Sequence, residues 1–480
     1  MNQKGWPMGI SRREFLKGGL GALGFAALPG GSLFAAPAGW KHNDKPNLVF
    51  GVVSDTHLRT AWDGKSVDRN YTDKYFLAAL RYFRSRNVDA VMHLGDMGNN
   101  GQVEAMQFHA DAWRKVFPME RGADGRTVVR LFVTGNHDVE GFKYTKFIEQ
   151  LIKDPVEREK HLLVTDMAPH WERIWGEPYE EVWHKVVKGY HFYGRHWGTN
   201  QLWRAIDAKM ARLVKADGER LGFIGDKKPV FLLSHRLQSG WFRKYLRSLS
   251  NGVGFFGHCH FSSSNWNTIY LNENAGETFP CIQCPACHSS RGEAFPGREC
   301  APKLAIEGGD WKRWKSRQGF VVRVYDDMFV IERREFDNGI ASLGPDWVMP
   351  LGKNPHPFSK DELKKVIGEP QFRKGAKLVF EKCSAPSCLR VKIPRADGNP
   401  DSRVYAYEVE VSGEDAGKKL LKAVYAAGCN MGIGREPNHG TTTLEIPRSE
   451  LPPGKTLAFA VRPLTSLGTS GKPIATEFKA

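Results

Sequence analysis

Three apolar runs, each closing on a short polar turn and separated from the next by helical periodicity, limit what this chain can fold into more than any other feature. Residues 47–54, 88–94 and 127–133 are near-continuous apolar segments of strand length, the pattern of strands buried on both faces of an α/β sheet. Between the first two, Tyr75, Phe76, Ala79, Leu80 and Phe83 recur at helical spacing. Between the second and third, Met106, Ala110, Trp113 and Phe117 do so, with His109 near the edge of that face. Strand, helix, strand implies parallel pairing. The turns Asp55-Thr56-His57-Leu58, Gly95-Asp96 and Gly135-Asn136-His137-Asp138 then meet at the carboxyl edge of one sheet, where α/β folds build their sites.

The same grammar continues. Residues 189–193 read as a strand, 201–215 as a helix, 228–234 as a buried strand ending at His235, and 252–256 as a strand running into Gly257-His258-Cys259-His260. Residues 319–334 read as two strands with Asp326-Asp327 at a hairpin turn. The charged, Trp- and Tyr-bearing segment 140–188 reads as an insertion covering the site, with His161, His170 and His184 as surface or packing residues. Residues 345–370 are a proline- and lysine-rich linker. Beyond them, short strand-like runs at 376–380, 388–393, 404–411, 420–427, 441–446 and 456–461, separated by Gly, Pro, Asn and Asp, describe an all-β sandwich. A chain stopped near Gly368 is expected to fold and bind metal without it, because no candidate ligand lies beyond His260.

Collected in chain order, the strand-end candidates are Asp55, His57, Asp96, Asn136, His137, His235, His258 and His260. Carboxylate, amide oxygen and imidazole nitrogen form the ligand set of Mn, Fe, Zn or Ni. One ion does not need so many donors. The set divides around two divalent ions sharing one carboxylate, as two-metal hydrolases require.

These five blocks, in this order over residues 47–335, resemble the calcineurin-like metallophosphoesterase superfamily. The resemblance implies an α/β fold, a two-sheet α/β sandwich of the metallo-dependent phosphatase type, followed here by the smaller all-β sandwich. It implies that Asp55, His57 and His260 bind the first metal, that Asp96 bridges, and that Asn136, His235 and His258 bind the second. His137 takes the place of the catalytic histidine, which supports the transition state or protonates the leaving oxygen. A solvent oxygen between two cations loses a proton near neutral pH and attacks phosphorus in line. Arg236, beside His235, is a candidate for a phosphate oxygen or for a structural ion pair. The protein phosphatases of the superfamily place an aspartate three residues after the bridging one, then an arginine. Here those positions hold Asn99 and Asn100, and Asp138 stands where those enzymes have Glu. This departure argues against a phosphoserine/threonine phosphatase and leaves the group that orients His137 open. Asp55-Thr56-His57-Leu58 is similar to the opening of bacterial cyclic-nucleotide phosphodiesterases, a tetrapeptide too widely shared to fix a substrate.

At the N-terminus, Ser11-Arg12-Arg13-Glu14-Phe15-Leu16-Lys17 precedes a mildly apolar, Gly/Ala-rich stretch too short to span a bilayer, then Ala36-Pro37-Ala38, a small-x-small cleavage site. The run resembles the bacterial twin-arginine export signal. The expected organisation is a signal peptide over 1–38, a phosphoesterase domain over 39–344, a linker over 345–370 and a β-sandwich over 371–480, whose last two strands resemble a fibronectin type III domain. The implied location is periplasmic or extracellular, the implied partners are the twin-arginine export machinery and a small phosphorylated substrate, and no stable membrane anchor is expected.

Lys and Arg number 69 against 53 Asp and Glu, a formal net charge of +16 over 480 residues. That charge is spread along the chain without a basic run, so nucleic acid is not the expected partner. The expected function is hydrolysis of phosphomonoesters or phosphodiesters. The alternatives are a nuclease or cyclic-nucleotide phosphodiesterase of the same superfamily, or an envelope binding protein with a vestigial metal site. Cys281, Cys284, Cys287 and Cys300 are expected as core or disulfide cysteines instead of a metal cluster, because no later Cys-x-x-Cys pair completes a knuckle. Cys383 and Cys388 could close a short disulfide loop in an oxidising compartment.

Overall fold

The structure, a computed structural model, describes residues 45–350 and 368–479 apart from interior stretches, the longer of which are 141–152, 157–166, 289–305 and 308–315. The signal segment, His161, Cys300 and most of the linker lie outside the described residues. The first sheet contains β1 (Leu48–Val53), β2 (Ala90–Leu94) and β3 (Val129–Val133), joined by helices α1 (Thr72–Ser85) and α2 (Val103–Val116). β1 pairs parallel with β2, and β2 with β3.

In these strands successive side chains alternate between two cores. Phe50, Val52, Met92, Leu94, Leu131 and Val133 enter a central core, whereas Val53, Val91 and Phe132 pack under α1, α2 and α4 (Met167–Trp175). Both faces are covered, which is why these strands read as near-continuous apolar runs.

The second sheet supplies the other wall of the central core. Its strands are β4 (Val182–Val187), β5 (Tyr190–Arg195), β6 (Val230–Ser234), β7 (Gly252–Phe256), β8 (Ile269–Tyr270) and β9 (Cys281–Gln283), in the order β8-β9-β7-β6-β5-β4. Phe50 packs edge-on against Phe192 and Phe231 at ring separations of 5.7 and 5.1 Å, which locks the sheets face to face. α5 (Leu202–Leu221) and α6 (Gly240–Tyr245) cover the outer face of this sheet. The first sheet is extended by the hairpin β10 (Gln318–Val324) and β11 (Met328–Glu335), with β10 antiparallel to β1, and by the short strands β12 (Ala341–Ser342) and β13 (Trp347–Pro350) on β11. The result is helix, sheet, sheet, helix: the α/β sandwich expected.

Two expectations need correction. Segment 140–188 is not merely an insertion: α4 packs Trp171, Ile174 and Trp175 into the core under the first sheet, and β4 forms the edge of the second. The all-β part also does not stand alone. Its strands β14 (Val379–Lys382), β15 (Cys388–Ile393) and β18 (Thr442–Pro447) form one sheet, and β16 (Val404–Ser412), β17 (Lys419–Tyr425), β19 (Thr456–Thr465) and β20 (Ile474–Lys479) form most of another. The fifth strand of that second sheet is Ile306–Glu307, contributed from before β10 and parallel to β17. Cys383 and Cys388 are joined as a disulfide. Cys281 lies in β9, and Cys281, Cys284 and Cys287 are buried thiols that form no metal-ligand group among the described residues.

Candidate metal centre

The carboxyl ends of β1, β2, β3, β6 and β7 converge, and every expected ligand sits just after one of them, Asn136 as the first residue of a short helix, α3 (Asn136–Glu140), where the sequence suggested a turn. The first two turns continue the strand pairing. Asp55 N donates to Gly95 O at 3.0 Å, His57 N to Asp96 O at 3.0 Å, Leu58 N to Met97 O at 2.8 Å, and Asn99 N to Leu58 O at 3.1 Å. Asp55, His57, Asp96, His258 and His260 all have positive φ, between 45° and 72°. Such conformations cost roughly 1–3 kcal/mol each and persist only where the surroundings enforce them. Glycines permit the close approach: a Cβ on Gly135 would lie 2.1 Å from Asp96 Oδ1, and one on Gly257 would lie 1.9 Å from Ser54 Oγ.

Two groups of donor atoms result, and they share Asp96. In one, His57 Nε2 lies 3.0 Å from His260 Nε2, 3.7 Å from Asp55 Oδ1 and 3.5 Å from Asp96 Oδ2, while His260 Nε2 lies 3.1 Å from Asp55 Oδ1. In the other, His235 Nε2 is 3.1 Å from Asp96 Oδ2 and 3.1 Å from Asn136 Oδ1, and His258 Nδ1 is 2.9 Å from Asn136 Oδ1. All seven expected ligands are thus brought together.

The chemistry of these donors tests whether a cation fits. His235 Nδ1 lies 2.6 Å from Leu94 O, and a carbonyl only accepts, so Nδ1 carries the proton. The Nε2 lone pair of neutral His235 therefore faces a carboxylate oxygen and an amide oxygen. Only a proton or a cation among them relieves the repulsion. Burial alone would lower the His235 pKa, but Asp96 and then Asp55 raise it to about 9. Burial would likewise raise both carboxylates, yet His260 and His57 around Asp55, and His235 beside Asp96, hold them well below the ordinary range. Burial and His235 push His258 down to about 4. Positive charge belongs where the donors meet, and the residues fit divalent ions there.

His137 belongs to neither group. Its main-chain N–H donates to Asp96 Oδ1 at 2.8 Å, and its Nδ1 donates to Asn99 O at 2.8 Å. The orienting group left open by the sequence is therefore a backbone carbonyl. The ring stands edge-on to His57 at 4.7 Å. Asp138 ties two turns together, accepting from Gly98 N at 2.9 Å and Gly135 N at 2.8 Å. Burial and the nearby Asp96 charge raise its pKa to about 6. Arg236 is exposed, with its guanidinium 5.7 Å over the Trp203 ring. Cys259 packs toward the core outside the second sheet.

Several residues around the site escaped the sequence reading. Thr56 Oγ1 lies 3.0 Å from His93 Nε2 and 2.7 Å from His109 Nε2. His109 Nδ1 donates to Ala105 O, and His93 Nδ1 accepts from Gly95 N. The tautomers follow: His93 donates to the hydroxyl, and the hydroxyl donates to His109. Burial lowers both pKa values, that of His109 to about 4. His196 Nδ1 accepts from Thr134 N at 3.1 Å, and Trp197 stacks on His258 at 5.9 Å. His288 N donates to Asp55 O at 3.0 Å, with its ring 5.9 Å from His57. A histidine inside an otherwise apolar strand, as in Ala90-Val91-Met92-His93-Leu94, was the one available signal.

This arrangement is that of a metallophosphoesterase fold with a candidate metal centre at its sheet edges. Residues 48–252 match the family model of the calcineurin-like phosphoesterases. The matched segment ends within the strand that leads to His258 and His260. Similar solved structures include a dimetal phosphatase from Danio rerio, with 13% identity, TM-score 0.36, and 64% of this chain and 100% of that one covered. A predicted phosphoesterase from Streptococcus pneumoniae TIGR4 shows 12% identity and TM-score 0.26, with 63% and 97% covered. A purple acid phosphatase from yellow lupin (Lupinus luteus) seeds shows 12% identity and TM-score 0.31, with 64% and 55% covered. Among curated proteins, none matches the chain.

Proposed function

We propose that this chain is an exported two-metal hydrolase of phosphomonoesters or phosphodiesters. The observation that carries the proposal is the pair of donor groups meeting at Asp96, beside an imidazole that belongs to neither. In this proposal Asp55, His57, Asp96 and His260 hold one divalent ion, and Asp96, Asn136, His235 and His258 hold the other, with Mn, Fe, Zn or Ni suited to the donors. Bound there, two such ions supply Lewis acidity toward phosphoryl oxygens and lower the pKa of water.

The side chains do the rest. Its Nδ1 proton is committed to Asn99 O, so in this proposal Nε2 is the atom of His137 that acts on substrate. Protonated at that atom, it delivers a proton to the departing ester oxygen. The His137 main-chain N–H on Asp96 Oδ1 leaves Oδ2 for the shared position. Trp197 shields the His258 ring, and Arg236 offers a guanidinium next to His235 for a non-bridging phosphate oxygen.

Export rests on the twin-arginine pattern at Arg12 and Arg13. The Cys383–Cys388 disulfide favours the same conclusion, because such bonds persist in oxidising compartments. The test is the rate on a chromogenic phosphate monoester and on its diester analogue, each with Mn²⁺ added and with chelator. Hydrolysis of at least one, abolished by chelator and restored by Mn²⁺, is the expected result. No hydrolysis of either in the metal-loaded protein overturns the proposal.

A further inference from the structure

We infer that the loop at residues 426–435 of the β-sandwich is a positioning element of the metal centre, holding the segment that carries His258 and His260. The inference rests on the ligand assignment proposed above. After β7 the chain has no regular structure through Ser264, and His258 and His260 both adopt left-handed backbone. Such a segment keeps its shape only if it is anchored at both ends. On the near side, His258 N donates to Asp55 Oδ2 at 3.0 Å. On the far side, the anchors are Ser262, Ser263 and Ser264, none more than 3% exposed.

Much of what those serines hold belongs to the other domain. Ser264 Oγ donates to Cys429 O at 2.6 Å, and Ser262 Oγ lies 3.1 Å from Asn430 O. Gln318 joins the two sides, donating from Nε2 to Asn430 O at 2.6 Å and accepting from Ser263 N at 3.1 Å. Arg333 Nη1 donates to Ser263 O at 2.7 Å.

The loop itself is fastened to the phosphoesterase domain. Gly432 N donates to Glu335 Oε2, Arg435 Nη1 lies 3.0 Å from Glu335 Oε1, and Ile433 N donates to Ser342 O at 2.8 Å. Glu335, Gln318, Cys429 and Asn430 are all buried. The β-sandwich thereby completes the hydrogen bonding of the ligand segment two to four residues past His260. Groups that orient metal ligands in this way typically change metal affinity about 10- to 100-fold when lost.

Gly432 allows a test from a position remote from every ligand. A Cβ there would lie 2.8 Å from Ala341 Cβ and 3.0 Å from Glu335 Oε2, so Gly432→Leu wedges the loop off its seat. Arg435→Ala removes an anchor without adding volume, and so remains informative if the wedge prevents folding. Arg435→Lys keeps the charge. The exposed Arg373, paired with Asp397 elsewhere in the sandwich, provides a control as Arg373→Ala. In the full-length protein, Mn²⁺ titration calorimetry is expected to show two ions in the wild type and in the control. In folded Gly432→Leu or Arg435→Ala the affinity is expected to fall about tenfold or more, with partial recovery in Arg435→Lys and restoration of hydrolysis by excess Mn²⁺. A folded Arg435→Ala with wild-type Mn²⁺ affinity overturns the inference and leaves the functional proposal standing. A wild-type protein that binds no Mn²⁺ overturns the ligand assignment, and this inference with it.

Discussion

Replacing His137 by Ala separates proton transfer from metal binding, because the structure uses the main chain and the side chain of this residue differently. The bond from His137 N to Asp96 Oδ1 survives the substitution, since it is made by the backbone. What is lost is the imidazole and its hydrogen bond to Asn99 O. One such bond contributes about 1 kcal/mol to folding, so the variant is expected to stay folded with near-normal metal content. General acid assistance contributes about 10² to 10⁴ in rate, or about 2.7 to 5.4 kcal/mol of barrier. With an alkyl phosphate, whose leaving oxygen needs a proton, a loss of that size is expected; with a nitrophenyl ester it should shrink. Asp96→Ala is the contrast, because it removes the oxygen common to both donor groups and should lose metal and activity together. The assay is metal stoichiometry plus rates on both substrates for both variants. An equal loss on the two substrates would refute proton transfer and leave His137 stabilising charge. Loss of metal from His137→Ala would refute the assignment of the whole 135–138 segment.

Gly135→Ala places a methyl 2.1 Å from Asp96 Oδ1 and 2.5 Å from Asp96 N; the expected result is a folded protein with little bound metal, and full metal occupancy would contradict the close approach. His109 is held at about 4 against an ordinary 6.5, so between those pH values the unfolded chain takes up a proton that the folded chain does not. The corresponding stability, about 3 kcal/mol, is fully present above pH 6.5 and is lost as pH falls toward 4. Urea unfolding of His109→Gln at pH 7 and pH 4.5 should show a smaller difference than wild type, and an unchanged difference would refute the assignment. Replacing Arg12 and Arg13 by Lys should retain the precursor in the cytoplasm, as read by fractionation; normal export would remove the basis for the periplasmic proposal. A chain stopped at Gly368 strips Gln318, Ser264 and Glu335 of buried partners, so it should be poorly soluble or metal-poor, the reverse of what the sequence alone led us to expect. A soluble, metal-replete truncation would show that these bonds are dispensable.

How far the sequence could be read follows from where its information resides. β1, β2 and β3 were legible because burial on both faces leaves them almost wholly apolar, with His93 in β2 and Arg130 in β3 the exceptions, and their turns because polarity changes abruptly at Asp55, Gly95 and Gly135. β4 was not: as an edge strand it exposes one side, and His184 and Lys185 interrupt its apolar pattern, with Lys185 reaching Glu177 and Arg130 O. The residues that orient His137 and seat Ser264 were illegible for a different reason. Asn99 O and Cys429 O are main-chain groups, and any residue could have supplied them. The Thr56, His93 and His109 network joins groups 37 and 53 residues apart, and no local period reports it.

The main-chain bonds that run on past β1 and β2, through Asp55, His57, Leu58 and Asn99, carry a consequence for exchange kinetics. A loop held by its own side chains can open while the sheet beneath it stays closed. Here the amides of the ligand turns are further rungs of the central ladder, so freeing them means parting two of its inner strands. Their protons should exchange with deuterium through the same rare, large-scale openings as those of Val52 and Met92, and more slowly than those of the helices outside. The geometry that presents Asp55 and Asp96 is therefore as durable as the sheet itself, and its lifetime does not wait on a ligand.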